Sequence, residues 1–133
     1  MSFWKTLPKP ILALAPLANV TDASFRRVIA RYSAHARANG TVGVPDVMWT
    51  EFVSADGLMR ATPEGKEKLR ADLIYAEEER PIVAQLFSAH AIYMEASAAL
   101  CHELGFDGID INMGCPDKTI EKQGCGSAMI KSP

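Results

Sequence analysis

Four apolar runs separated by helical patterns, with no hairpin signal between them, predict an α/β chain: a parallel sheet with helices outside. The runs lie at residues 11–17, 47–53, 82–87 and 108–111. Two architectures share this order, an open doubly wound sheet and the first half of a (β/α)8, or TIM, barrel. A dinucleotide-binding sheet would carry a glycine-rich turn after its first strand; here Ala15-Pro16-Leu17-Ala18-Asn19 stands there instead. That favours the barrel. A complete barrel needs roughly 250 residues, so a chain of 133 residues with about four strands reads as the amino-terminal half of one.

In chain order, residues 1–10 hold two prolines and no period, which predicts an irregular lead-in. Residues 11–17 carry no charge and suit a strand buried on both faces, ended by Pro16. Thr21 or Asp22 can cap a helix, and Phe25, Val28, Ile29 and Tyr32 then recur at helical spacing, with Arg26, Arg27 and Arg31 opposite. Residues 33–45, with two glycines, read as a surface loop. A strand follows at 47–53 with Glu51 near its end, then a short helix at 55–60. Residues 62–70 are charged and expected to be exposed. Glu77, Glu78 and Glu79 suggest a solvated turn.

Pro81 opens the third run at 82–87, interrupted by one amide, Gln85. A helix over residues 90–104 is expected to bury Ile92, Ala96, Ala99, Leu100 and Leu104, with Gly105 as its C′ residue. The last run alternates: Ile109 and Ile111 fall on one face, Asp110 and Asn112 on the other. It ends in Met113-Gly114-Cys115-Pro116, a tight turn carrying a thiol. Residues 118–126 are polar and glycine-bearing, and 127–131 start another helix.

Composition sets the class. An apolar share of 48% and a charged share of 23% are ordinary for a globular protein. A net charge of −2 makes no general invitation to nucleic acid. The apolar stretch 11–20 is short, contains Pro16 and lacks a basic leader, so neither a signal peptide nor a membrane span is expected. Three cysteines, an odd count, argue against a disulfide framework and for a reducing cytoplasm. Cys101, Cys115 and Cys125 lack the close pairing of a zinc site, so no metal is expected.

On residues alone, Cys115 is either a buried structural thiol or a reactive one. Gln85 and Asn112 are either satisfied structural amides or ligand-facing ones, since an unpartnered buried amide is costly. Pro16, Leu17 and Ala18 form a strand exit. Glu51 could pair with Arg26 or Arg27, or sit as a polar group in a site. Lys118 and Lys122 are solvated side chains or phosphate contacts.

Several blocks together resemble the tRNA-dihydrouridine synthases, which are FMN-dependent reductases. They are 15–22 with Phe25-Arg26-Arg27, 50–55, 79–87, and most strongly 107–116 followed by Lys118, Gly124 and Gly126. The resemblance implies a barrel that continues for four more strands and a helical tRNA-gripping domain after it. It implies reduction of a flipped-out uridine to 5,6-dihydrouridine by FMN, itself reduced by NADPH, with Cys115 donating a proton to the base. A thiol is mostly protonated near neutral pH and can act as an acid without special tuning. By the same resemblance Pro16, Leu17, Ala18, Gln85 and Asn112 contact the flavin, and Glu51 and Lys118 lie toward the uridine or tRNA. Leu17 replaces a methionine often found there, and Cys125 replaces a small residue. A second FMN-barrel reading is a dihydroorotate or dihydropyrimidine dehydrogenase type of enzyme. A third is that the chain by itself is inactive, binds FMN weakly or not at all, and self-associates through its open strand edges.

Overall fold

The structure, a computed structural model, describes residues 2–36, 40 and 42–131. Its strands are β1 (Ala13–Leu14), β2 (His35–Ala36), β3 (Val42–Gly43), β4 (Val47–Ser54), β5 (Ile82–Phe87) and β6 (Gly108–Ile111). Its α-helices are α1 (Ala23–Tyr32), α2 (Ala55–Arg60), α3 (Pro63–Ala71), α4 (Ala91–Glu103) and α5 (Lys118–Glu121), with 3₁₀ turns at Phe3–Lys5, Glu77–Glu79 and Gly126–Lys131. The main sheet has the order β1-β4-β5-β6 and is parallel throughout, as expected. Among the described residues it does not close. It is an arc of a barrel, with helices on the convex face.

The strand β5 is the centre of that arc, and all six of its residues are buried. Ile82, Ala84 and Leu86 meet Met48 and Val53 of β4 and, from the helical layer, Leu58, Cys101 and Phe106. The opposite, concave face carries Phe52 and Phe87 in a T-shaped pair with centroids 5.3 Å apart. At the far end of the arc Trp4 packs on Trp49. There the ring of Phe3 sits so close to Gly108 that a Cβ at that glycine would lie 3.4 Å from it.

Helix starts follow their caps. Asp22 accepts from the Phe25 N–H at 2.7 Å, Ser54 from Gly57 at 3.1 Å and Thr62 from Gly65. Pro63 takes the first turn of α3, where its missing N–H costs nothing. Gly105 closes α4 at φ +84°, a conformation that favours glycine.

Several expectations are corrected. The first run forms only a two-residue ladder and is not buried on both faces: Ile11, Leu12 and Leu17 are exposed, because β1 has a partner on one side only. Residues 33–45 are not all loop, since β2 and β3 pair antiparallel there; residues 37–39 and 41 lie outside the described residues. A turn of helix, α5, occupies part of 118–126, while the segment 62–70 buries no residue, in keeping with its expected exposure, and is helical. On α4 the buried residues are Ser97 and Cys101, while Ile92 is 70% exposed. Small and apolar residues are spread all round that helix, so spacing alone does not select the face that meets the sheet.

The largest correction concerns α1. Phe25, Val28 and Tyr32 are exposed, and the helix buries Arg26 and Ala30. Arg26 donates from Nε to Glu79 Oε2 at 2.6 Å, from Nη1 to the Thr21 carbonyl at 2.7 Å and from Nη2 to the Ile74 carbonyl at 2.6 Å. Both charged side chains are fully buried, so the three glutamates do not form a wholly solvated turn. Glu79 also accepts from the Ala76 N–H at 2.9 Å. Removing one partner leaves the other charge buried and unpaired, which costs about 3–5 kcal/mol, whereas an apolar pair of similar volume is close to neutral. Glu79→Gln should therefore lower the urea midpoint far more than the joint change Arg26→Met with Glu79→Leu. Equal losses in the two variants would contradict a buried ion pair.

Candidate functional site

Parallel pairing brings the carboxyl ends of β1, β4, β5 and β6 to one rim, and in a barrel that rim is where catalytic residues gather. A register irregularity in β4 between Trp49 and Phe52 sets Phe52 beside Gln85, and Gln85 stands beside Asp110 of β6. The Gln85 side chain is almost fully buried, and its amide is partnered at both ends. Its Nε2 donates to Asp110 Oδ2 at 2.6 Å, and its Oε1 accepts from Asn112 Nδ2 at 3.2 Å.

Asn112 extends this row into the thiol turn. Its Oδ1 accepts from the backbone N–H of Gly114 at 3.3 Å and of Cys115 at 3.0 Å, a side-chain-closed turn of the kind asparagine favours. Cys115 is half-buried and packs against the cluster of Phe87, Ile120 and Cys125, on which Phe52 also packs. Its carbonyl accepts from the Ser127 N–H at 2.9 Å. At Gly126, with φ +59°, a Cβ would come within 2.5 Å of that carbonyl, so only glycine allows the two segments to meet. The thiol thus lies between an apolar wall and a row of amides.

A second group sits at the β1 and β4 exits. The Leu17 N–H donates to Thr21 Oγ1 at 3.0 Å, and the Leu17 carbonyl accepts from the Val20 and Thr21 N–H groups at 3.0 Å. Leu17 and Ala18 are exposed and Pro16 is half-buried. Asn19, at φ +59°, donates its N–H to Glu51 Oε1. Glu51 therefore braces the β1 exit, and the ion pair with Arg26 or Arg27 is not formed: Glu79 takes Arg26 and lies 3.8 Å from Arg27 Nε. Hydrogen bonds join Gln85, Asn112 and Cys115 into one unit. Pro16, Leu17, Ala18 and Glu51 form a separate one on the same rim. Lys118 is exposed at the start of α5, and Lys122 is exposed at its end. Beside Lys118, the Asp117 carboxyl is held below its ordinary range by the N–H groups of Thr119 and Ile120 that it caps.

Two features went unread in the sequence. Asp110 partners Gln85, and its only signal was the alternation that set it on the face of Asn112. At the β5 exit Ser88 donates to Asp56 Oδ2 at 2.5 Å, and His90 Nδ1 lies 2.8 Å from Asp56 Oδ1. No spacing links those residues. Among the described residues no group of three His, Cys, Asp or Glu could hold a metal ion, and no helix is long and apolar enough to cross a membrane.

With the relay formed, Gln85 and Asn112 each keep one amide hydrogen, and Asp110 keeps Oδ1. Two donors and an acceptor beside the apolar Phe52–Phe87 wall suit the edge of a planar heteroaromatic ring bearing carbonyls and an N–H.

Comparison with known proteins identifies the family. The family described as Dihydrouridine synthase (Dus) matches residues 13–133. The chain is 37% identical over 132 residues to "Probable tRNA-dihydrouridine synthase 2" of Bacillus subtilis (strain 168). It has the same identity, over the same length, to "Probable tRNA-dihydrouridine synthase" of Staphylococcus aureus (strain COL). Each match covers 99% of this chain and 37% of the relative, so the chain spans little more than a third of the length of these curated relatives.

The other two thiols are held as neutral groups. Burial pushes Cys125 up, helped by the charge of Asp56 and opposed by the Ala89 N–H. Burial pushes Cys101 from its ordinary value near 9.0 up to about 11. The unfolded chain therefore loses the Cys101 proton first as pH rises, the folded state then binds more protons, and stability falls between about pH 9 and about pH 11. Cys101→Ala should lower the urea midpoint near neutral pH, and its deficit against the parent should shrink across that window. A deficit that stays constant would contradict a thiol held neutral by the fold.

Proposed function

Since this chain belongs to the dihydrouridine synthase family, we propose that it forms part of an enzyme that reduces uridine in tRNA to 5,6-dihydrouridine. FMN is its electron carrier and NADPH its reductant. The observation that carries the reading is the hydrogen-bonded row Gln85–Asn112–Cys115 on the rim of a parallel sheet. The names of the relatives support the reaction class. In this reading the 133 residues are the first portion of an FMN-binding barrel domain, followed by the remaining strands and a helical tRNA-binding domain. The cytoplasm is the compartment, since tRNA is the substrate.

FMN, when bound, supplies the hydride that reduces one carbon of the uracil C5=C6 bond. Cys115 supplies the other half: its Sγ–H gives a proton to the second carbon, leaving a thiolate that must regain a proton before the next turnover. Gln85 and Asn112 present their spare N–H groups to the flavin edge, and Asp110 Oδ1 can accept from a ring N–H. The Pro16, Leu17 and Ala18 exit offers backbone and an apolar surface to the ring. Glu51 holds that exit in place and lies toward the base, and Lys118 lies toward the tRNA backbone. The uridine must leave its stack to reach such a site.

In the complete enzyme, Cys115→Ala should reduce uridine turnover by about 10²–10⁴-fold, the usual scale for loss of a positioned proton donor. Flavin reduction by NADPH should stay near the parent rate in stopped-flow absorbance. If both half-reactions fell together, Cys115 would be a flavin-site or structural residue.

The isolated 133-residue chain is proposed to be inactive. Ile11 and Leu12 are exposed beside the β1 edge, and Ile109, Ile111 and Met113 beside the β6 edge. Unpaired parallel edges with exposed apolar residues promote pairing between copies. Four strands also lack the later loops where such barrels hold a phosphate. Size-exclusion chromatography with FMN present should give colourless, concentration-dependent oligomers. A yellow monodisperse monomer would overturn that proposal.

A further inference from the structure

The geometry points to Asp110 as a positioning residue that sets, through Gln85 and Asn112, the orientation of the Cys115 turn. Each link admits one polarity. A carboxylate only accepts, so at 2.6 Å from Asp110 Oδ2 the Gln85 amide must present its NH₂. That turns Gln85 Oε1 toward Asn112, which must answer with Nδ2 at 3.2 Å. The far end demands the same answer independently: the backbone N–H groups of Gly114 and Cys115 are donors and require Asn112 Oδ1.

The relay is therefore over-determined. An acceptor-only group closes one end and two fixed donors close the other, so neither amide can flip without leaving a half-buried polar atom unpaired. An amide in place of Asp110 would leave the polarity fixed from the Cys115 end alone, because it could offer either its oxygen or its NH₂ to Gln85. The charge also strengthens the first link, as ionised acceptors form shorter and stronger hydrogen bonds.

One consequence for ligands follows. Asn112 Oδ1 already takes two donors, so Asn112 has only an N–H to spare, while Gln85 keeps one N–H and one lone pair on Oε1. The two spare N–H groups are set to meet adjacent acceptors, carbonyl oxygens or ring nitrogens, on a planar ligand. That consequence rests on the proposed flavin reading; the positioning role rests on the hydrogen bonds alone.

The test uses the complete protein without flavin or tRNA, selectively labelled with ¹⁵N at Gln, Asn, Gly and Cys. In Asp110→Asn the Gln85 Nε2 proton should move upfield as the charge-assisted bond is lost. The backbone amide of Cys115 should move with it. Asp107→Asn is the control: that carboxylate binds Arg80 and the Ile82 N–H at the other end of β6 and should leave the Cys115 amide in place. The second variant is a polarity exchange. Gln85→Glu alone sets two carboxylates face to face and should displace the Cys115 amide. Combined with Asp110→Asn, it restores one donor facing one acceptor and should return that amide toward its original position. Asp110 has no positioning role if the Cys115 amide ignores Asp110→Asn and Gln85→Glu, responds equally to Asp107→Asn, or gains nothing from the exchange. None of these readouts depends on flavin binding, so failure here is distinct from failure of the proposed reaction.

Discussion

The structure depends on β5 being paired on both sides by parallel strands. A strand paired on both edges and buried along its length leaves its one polar side chain little access to water, so that side chain finds partners within the protein. Gln85 finds them on β6. Parallel pairing fixes where this happens, because strands that run the same way end on the same side. The Gln85↔Asp110 register and the position of Asn112 two residues on follow from one alignment. The thiol turn follows in sequence, so the rim is built by the sheet that gives the fold its core.

A second brace comes from charge. The buried Arg26–Glu79 pair joins α1 to the turn that leads into β5. Burying two ions is unfavourable unless their remaining donors and acceptors are filled, and here the carbonyls of Thr21 and Ile74 and the N–H of Ala76 fill them. Thr21 in turn holds the Leu17 N–H. The β1 exit is thereby anchored from below by the ion pair and from the side by Glu51. A loop that would otherwise be a free edge gains a defined position on the same rim as the amide row.

Much of this was legible in the sequence, and the failures share a cause. Strand positions were readable because runs such as 82–87 are apolar but for one residue, and the start of α1 because Asp22 is a good cap. Helix faces were not. Arg26 looks like a surface residue until Glu79 is known to lie beside it, and the two are 53 positions apart. Nothing local distinguishes Glu79 from Glu77 or Glu78, which remain exposed. The hairpin of β2 and β3 is two residues per strand, too short for any period to register. At the rim, alternation in 109–112 placed Asp110 and Asn112 together, but only the register of β6 on β5 could show that Gln85 lies between them in a single row.

That row is also the strongest internal sign that the concave face is a site. A sheet built for stability alone would carry branched apolar side chains at Gln85, Asp110 and Asn112, as barrel interiors usually do. Three polar groups there must be desolvated, and the hydrogen bonds among them offset that cost without exceeding what good apolar packing would supply. Among the described residues they also leave two N–H groups and one carboxylate oxygen without a partner. An arrangement that gives up packing and still holds unspent hydrogen bonds in fixed directions is suited to a ligand that completes it. Where local rules for a stable core are broken in so ordered a way, function is the physical reason.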